Sequence, residues 1–196
     1  GITTTGATVI ENLEAKSRGI LIWRALLQWL GGVGIIVMAL AVLPMLSIGG
    51  MQLFKTESYE TPDKVVPKAA SFAAGISIVY ITLTVIWAFM LWGAGVPIFD
   101  SIAHAMTTLA TGGYSTKSES LAAFNSSTIE IIIIFGMLVG SLPFVHYLAL
   151  TKNGIKNLIK DDQVKLFLTL VFFVVLIMTL YLSSSKIPYF EALRLA

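Results

Sequence analysis

Thr3-Thr4-Thr5-Gly6-Ala7-Thr8 and Ala110-Thr111-Gly112-Gly113-Tyr114-Ser115 are two versions of one phrase. Sliding the sequence by about 106 residues drops Thr5-Gly6 onto Thr111-Gly112. With no gap, the same slide drops Gly34 onto Gly140 inside the apolar run that follows. A second repetition, at an offset of about 91, sets Pro97-Ile98-Phe99-Asp100-Ser101 beside Pro188-Tyr189-Phe190-Glu191-Ala192. Repetition of this kind fixes architecture before any residue-level reading does. The repeated unit reads as apolar helix, short helix, Thr-Gly turn, apolar helix, which is the layout of a re-entrant pore loop.

Composition sets the class. The chain is 56% hydrophobic and 12% charged with a mean hydropathy of +0.85, whereas a soluble domain carries roughly 25% charged residues. A membrane helix needs roughly 20 mostly apolar residues, and four stretches supply them: Ile20–Leu46, Ala69–Trp92, Thr128–Leu150 and Val164–Leu182. The net charge of +2 is too small to argue for nucleic acid. With no cysteine there are no disulfides and no thiolate metal sites. Residue 1 is Gly inside the first Thr-Gly phrase, and residue 196 falls inside the third copy of the Pro-x-Phe-acidic motif, so the chain reads as an internal fragment.

The fold expected is all-α and integral to the membrane, built of repeated helix–pore loop–helix units that resemble those of a potassium channel. Residues 1–46 are the end of a first repeat, 47–68 a polar loop, 69–150 a complete second repeat, 151–164 a lysine-rich loop, and 165–196 the start of a third repeat. Within the second repeat, Phe99–Leu109 is a short helix, too short to cross a bilayer alone. The lysines and arginines divide almost evenly between the two sides. Loop 151–165, with four lysines against two acids, decides the orientation: it and loop 47–68 face the cytoplasm, and the Thr-Gly segments face outside.

The Thr-Gly segments suit one chemistry. A dehydrated alkali cation needs a cage of oxygens in place of its water, and rings of backbone carbonyls supply it. Glycine tolerates the dihedral angles this demands. Non-helical backbone at membrane depth persists only where it is buried in protein or lines a wet cavity. The C-terminal end of the short helix, carrying a partial negative charge, favours a cation there, and Asp100 suits its positive end. Thr4, Thr5, Gly6 and Ala7 form the first candidate filter, and Ala110, Thr111, Gly112 and Gly113 the second.

Other residues read as structural. Gly31, Gly32, Gly34, Gly136 and Gly140 allow close helix packing. His104 and His146 read as packing residues, and Arg24, at a helix start, as a side chain snorkelling to the interface. Glu11 and Glu14 either concentrate cations at an outer mouth or form a solvated face with Lys16 and Arg18. No catalytic triad, metal-ligand cluster or nucleotide loop is visible, so the chain reads as a non-enzyme. A secondary transporter with broken helices and alternating access is the rival reading. It is disfavoured because no Asp or Glu lies well inside the four spans.

Beyond these readings, the chain resembles the TrkH/KtrB superfamily of potassium transporters, and its TrkH branch in particular. The resemblance is carried by Thr4-Thr5-Gly6-Ala7-Thr8, by Trp23-Arg24-x-x-x-Gln28-Trp29-Leu30-Gly31-Gly32-x-Gly34-Ile35, by Gly49-Gly50-Met51-Gln52-Leu53-Phe54-Lys55 and by Thr111-Gly112-Gly113-Tyr114-Ser115-Thr116. It implies four repeats around one central pore in a bacterial inner membrane. Gly6 and Gly112 are then the filter glycines, with Thr5 and Thr111 beside them, and potassium is the substrate, held by the backbone carbonyls of these four residues. No covalent cofactor is implied. Two glycines at these places imply potassium selection, less strict than in a channel with more carbonyl rings. The resemblance further implies a homodimer gated by a cytosolic nucleotide-binding ring of the TrkA type.

Overall fold

The computed structural model describes residues 1–42, 65–144, 146–147 and 161–184. The described residues include the helices α1 (Arg18–Val42), α2 (Val65–Gly93), α3 (Ile98–Leu109), α4 (Ser127–Ser141) and α5 (Asp162–Ser184). Two short 3-10 turns, Leu13–Ala15 and Ser120–Phe124, interrupt the loops, and no strand occurs among the described residues. Gly1–Val145 and His146–Ala196 are separate compact units.

In the first unit the 12-residue α3 packs against α1, α2 and α4. At 1.5 Å per residue it is about 18 Å long, well short of a hydrocarbon core of about 30 Å. Eight of its residues are nevertheless buried, among them Asp100, Ser101, His104, Thr107 and Thr108. A short polar-bearing helix is thus buried among longer, more apolar ones. The long helices are pinned by aromatic side chains whose polar tips find partners, as buried Trp and Tyr require. Trp29 Nε1 donates to Thr84 Oγ1 at 2.9 Å, Tyr80 OH to the Trp29 carbonyl at 3.2 Å, and Trp87 Nε1 to the Ile132 carbonyl at 2.8 Å. Backbones also approach closely. Side chains at Gly136 and Gly140 would meet Trp87 and the Leu109 carbonyl respectively, whereas one at Gly34 would meet none of the described residues.

Two boundaries differ from the sequence reading. α2 begins at Val65, inside the stretch read as loop 47–68. α4 stops at Ser141, and Leu142 is extended at φ −77°, ψ 149°. Pro143 explains the stop, since the ring of a proline pushes the preceding residue out of the helical region. The return span read over Thr128–Leu150 is therefore a 15-residue helix followed by a break. Residues 43–64, 148–160 and 185–196 lie outside the described residues. Most of both loops, and the short helix of the third repeat, fall there.

Ala73–Gly93 of α2 and α5 are long and apolar enough to cross a membrane. In the second unit α5 exposes Leu170, Phe172, Phe173, Ile177 and Tyr181, a surface that suits lipid. There His146 Nε2 lies 3.2 Å from Asp161 Oδ2, a structural contact at the loop side of α5.

Candidate ion-selectivity site

The two Thr-Gly segments share a backbone. Thr4 has φ +51° and Gly6 +76°; Thr111 has +50° and Gly113 +78°. The Thr4 N–H bonds to the Gly1 carbonyl at 2.9 Å, and the Thr111 N–H to the Thr108 carbonyl at 2.9 Å. All these correspondences lie 107 residues apart. Structurally, Thr4, Thr5 and Gly6 therefore match Thr111, Gly112 and Gly113. The offset of about 106, which paired Gly6 with Gly112, is corrected by one residue. Each segment thus has a positive φ at its first and third residues, with none at the residue between them.

At the second segment the end of α3 sets this up. Ala110 is still helical and caps the helix, while Thr111 and Gly112 donate back to the Thr108 and Thr107 carbonyls. That is a Schellman closure, whose left-handed position is ordinarily glycine. The end of α2 closes the same way with Gly95 at φ +95°. At Thr111 a β-branched residue takes that position instead, which costs roughly 1–2 kcal/mol. Strain of this order at an exposed, otherwise replaceable residue points to a role for its side chain or carbonyl.

The ladder ends at Tyr114. Its carbonyl accepts from Thr107 Oγ1 at 2.8 Å and its N–H donates to Gln28 Oε1 at 3.1 Å. Thr111 and Gly113 are exposed, with Gly112 buried between them. The two segments touch: the Gly112 carbonyl lies where a Cβ on Gly6 would have to sit. Gly112 in turn abuts Gln28, and Gly113 has open space around it.

Around the segments stands a polar frame that the sequence did not reveal. Arg24 is 8% exposed, so it does not snorkel to an interface. Its guanidinium donates to Thr8 Oγ1 at 2.8 Å and lies over the Tyr114 ring, 4.4 Å from the centroid. Gln28, one turn further along α1, has no exposure at all. The spacing Arg24-x-x-x-Gln28 on an otherwise apolar helix was the available signal. His104 Nδ1 donates to the Asp100 carbonyl at 2.8 Å, which leaves Nε2 to accept from Ser115 Oγ at 3.0 Å. Asp100 accepts from Thr116 Oγ1 at 2.7 Å, with Lys117 Nζ 3.9 Å away. His104 is thus a packing residue that ties the segment to its helix.

Beyond the two segments, Glu14 accepts from the Ser118 N–H at 2.8 Å and from its hydroxyl at 2.6 Å, and Ser118 Oγ accepts from the Leu13 N–H at 3.1 Å. These bonds from Ser118 hold the Glu14 carboxyl down at about 2. Glu14 is therefore a tether between the loops that follow the two segments, and both it and Glu11 are exposed. No cluster of three metal-ligating side chains occurs among the described residues, so oxygen donors for a cation would come from the backbone and hydroxyls.

A family model described as TrkH, cation transport protein, matches residues 1–190. The chain belongs to the TrkH family. It is 39% identical over 194 residues to the Trk system potassium uptake protein TrkI of Halomonas elongata, covering 98% of this chain and 39% of that protein. It is 40% identical over 185 residues to TrkH of Salmonella typhimurium, covering 93% of this chain and 38% of that one. The crystal structure of the potassium transporter TrkH from Vibrio parahaemolyticus superimposes with a TM-score of 0.84 at 35% identity, over 98% of this chain and 39% of that chain. The chain thus spans about two fifths of the length of the TrkH-family relatives it matches. Its all-helical architecture agrees with that structure.

Proposed function

We propose that this chain forms part of a potassium uptake protein in which the ion crosses a channel-like pore. Carbonyls of Thr4–Gly6 and Thr111–Gly113 are two sides of its selectivity filter. The observation that carries this reading is the alternating backbone repeated at 107 residues on two segments in contact. Carbonyls held in that way replace a cation's hydration shell without side-chain charge. The names of the relatives supply the ion. The units 1–46, 69–150 and 165–196 are parts of three successive pore-loop repeats, and the pore is completed by repeats beyond this chain. Outward-facing filters, a homodimer and a cytosolic nucleotide-binding regulator belong to the same reading, with loops 47–68 and 151–165 on the cytoplasmic side.

The test is rubidium uptake by potassium-transport-deficient cells expressing the full-length protein that carries this segment, with sodium as competitor. Gly113→Ser is the informative variant, because its side chain meets no neighbour and changes only the backbone at φ +78°. Uptake that resists sodium in wild type and loses that resistance in Gly113→Ser is expected. Absence of uptake in wild type, or indifference to the variant, would sink the filter reading.

A further inference from the structure

α1 belongs to the first repeat, yet its side chains hold the second repeat's filter segment. Gln28 reaches 86 residues along the chain to take the Tyr114 N–H and fills the space beside Gly112. Four residues earlier, Arg24 stacks on the ring of the same Tyr114 and donates to Thr8, whose hydroxyl lies 3.5 Å from the Gly6 carbonyl. Residues four apart share one helix face, so a single face of α1 grips both segments. Both side chains are buried, and among the described residues Arg24 Nη1 and Gln28 Nε2 have no hydrogen-bond partner. Buried donors left open are costly, and an ionisable side chain inside a membrane protein marks function more often than packing. Packing alone would be served by an apolar pair.

We propose that Gln28 is a positioning residue for ion selection, assisted by Arg24. Its side-chain carbonyl holds the Tyr114 N–H, and so fixes the peptide plane in which the Gly113 carbonyl points. Neither side chain touches the ion; both act through the backbone of the filter. The proposal rests on the potassium-pore reading. Sodium, the smaller ion, is excluded only while the carbonyl cage keeps its width. Loss of the Gln28 acceptor therefore relaxes discrimination before it slows passage.

The experiment uses the full-length protein in proteoliposomes, with rubidium uptake measured against sodium to give KM, maximal rate and sodium inhibition. Gln28→Met keeps the length and removes the acceptor; Gln28→Glu keeps an oxygen where the acceptor was. Gln28→Met should lose about tenfold in sodium discrimination, with its maximal rate within about threefold of wild type, as one hydrogen bond implies. Gln28→Glu should stay within about threefold of wild type on both. Unchanged discrimination in Gln28→Met, or equal loss in both variants, overturns the proposal. Should Gln28→Met fail to assemble, Gln28→Glu and Arg24→Lys decide. Lysine keeps the charge but not the planar stacking on Tyr114, so about threefold loss is expected there, with Gln28→Glu near wild type. The reverse pattern overturns the proposal. Wild-type liposomes without rubidium uptake would fail the pore reading itself, a result distinct from any difference among variants.

Discussion

The two Thr-Gly segments have the same backbone and opposite support. Residues 110–116 are anchored by their own short helix, by Thr107 on the Tyr114 carbonyl, by His104 on Ser115 and by Asp100 on Thr116. Residues 1–8 are mostly exposed, and their described side-chain bonds are Thr3 to Thr5, Thr8 to Gly6 and Arg24 to Thr8. Equal dihedral angles on such unequal scaffolds mean that the Thr-x-Gly sequence and the contact between the segments carry much of the geometry. The surrounding frame then fixes one copy more firmly than the other.

The comparison breaks most severely at Gly6. A Cβ there collides with the Gly112 carbonyl at φ +76°, so backbone must move in both segments at once. Gly6→Ala is expected to cost about 3 kcal/mol, from left-handed strain and overlap together, and to bring rubidium uptake to background. Wild-type uptake from this variant would show that the segments do not meet in the working pore. Gly112→Ala comes next, because its Cβ meets the Gln28 side chain rather than backbone. Combining it with Gln28→Ala should restore part of the loss, with a coupling of at least about 1 kcal/mol in a double-mutant cycle. Additive losses would mean that Gly112 is needed for some other reason.

A smaller effect separates strain from function. Thr4 and Thr111 hold left-handed conformations that glycine adopts freely. Thr111→Gly relieves roughly 1–2 kcal/mol of strain against a glycine entropy cost of roughly 0.5–1 kcal/mol. The variant should therefore melt no lower than wild type while sodium competes more strongly. A lower melting temperature with unchanged selectivity would make Thr111 a purely structural cap.

How far this was legible from sequence depends on the kind of signal. α3 was read as Phe99–Leu109 and runs Ile98–Leu109, because Pro97 and the Gly-Gly turn punctuate it. α4 was read through Pro143, although the proline's effect on Leu142 was visible in the sequence. The Thr-Gly segments were legible as phrases, but their register slipped by one. Gly112 and Gly113 are adjacent, and sequence does not say which takes the positive φ; the gap-free match of Gly34 to Gly140 favoured the wrong one. Among the described residues nothing lies against Gly34, so that match has no packing contact behind it. Arg24 and Gln28 were missed as supports of the Thr-Gly segments because Tyr114, which both contact, is far away in sequence. A charged residue near a helix start looks like an interface anchor until the chain is folded.

The least effect is expected where the loops after the two segments meet. Glu14 joins Ser118 across 104 residues, but in full contact with solvent, where such contacts are weak and screened by salt. Its carboxyl is lowered from 4.5 to about 2 in the folded protein. A depressed folded value means that the tether's contribution is complete above about 4.5 and fades as pH falls from there toward 2. The Ser118 amide resonance, followed by NMR, should therefore hold steady down to about pH 4 and titrate with its midpoint near 2. Glu14→Gln should remove that titration and leave sodium discrimination within about twofold of wild type, since exposed pairs contribute little. A midpoint near 4.5 would mean that the loops do not hold each other. The poorly anchored first segment would then depend on Arg24, on its contact with Gly112 and on the packing of Gly1 and Ile2 against Leu27 and Gly31 of α1.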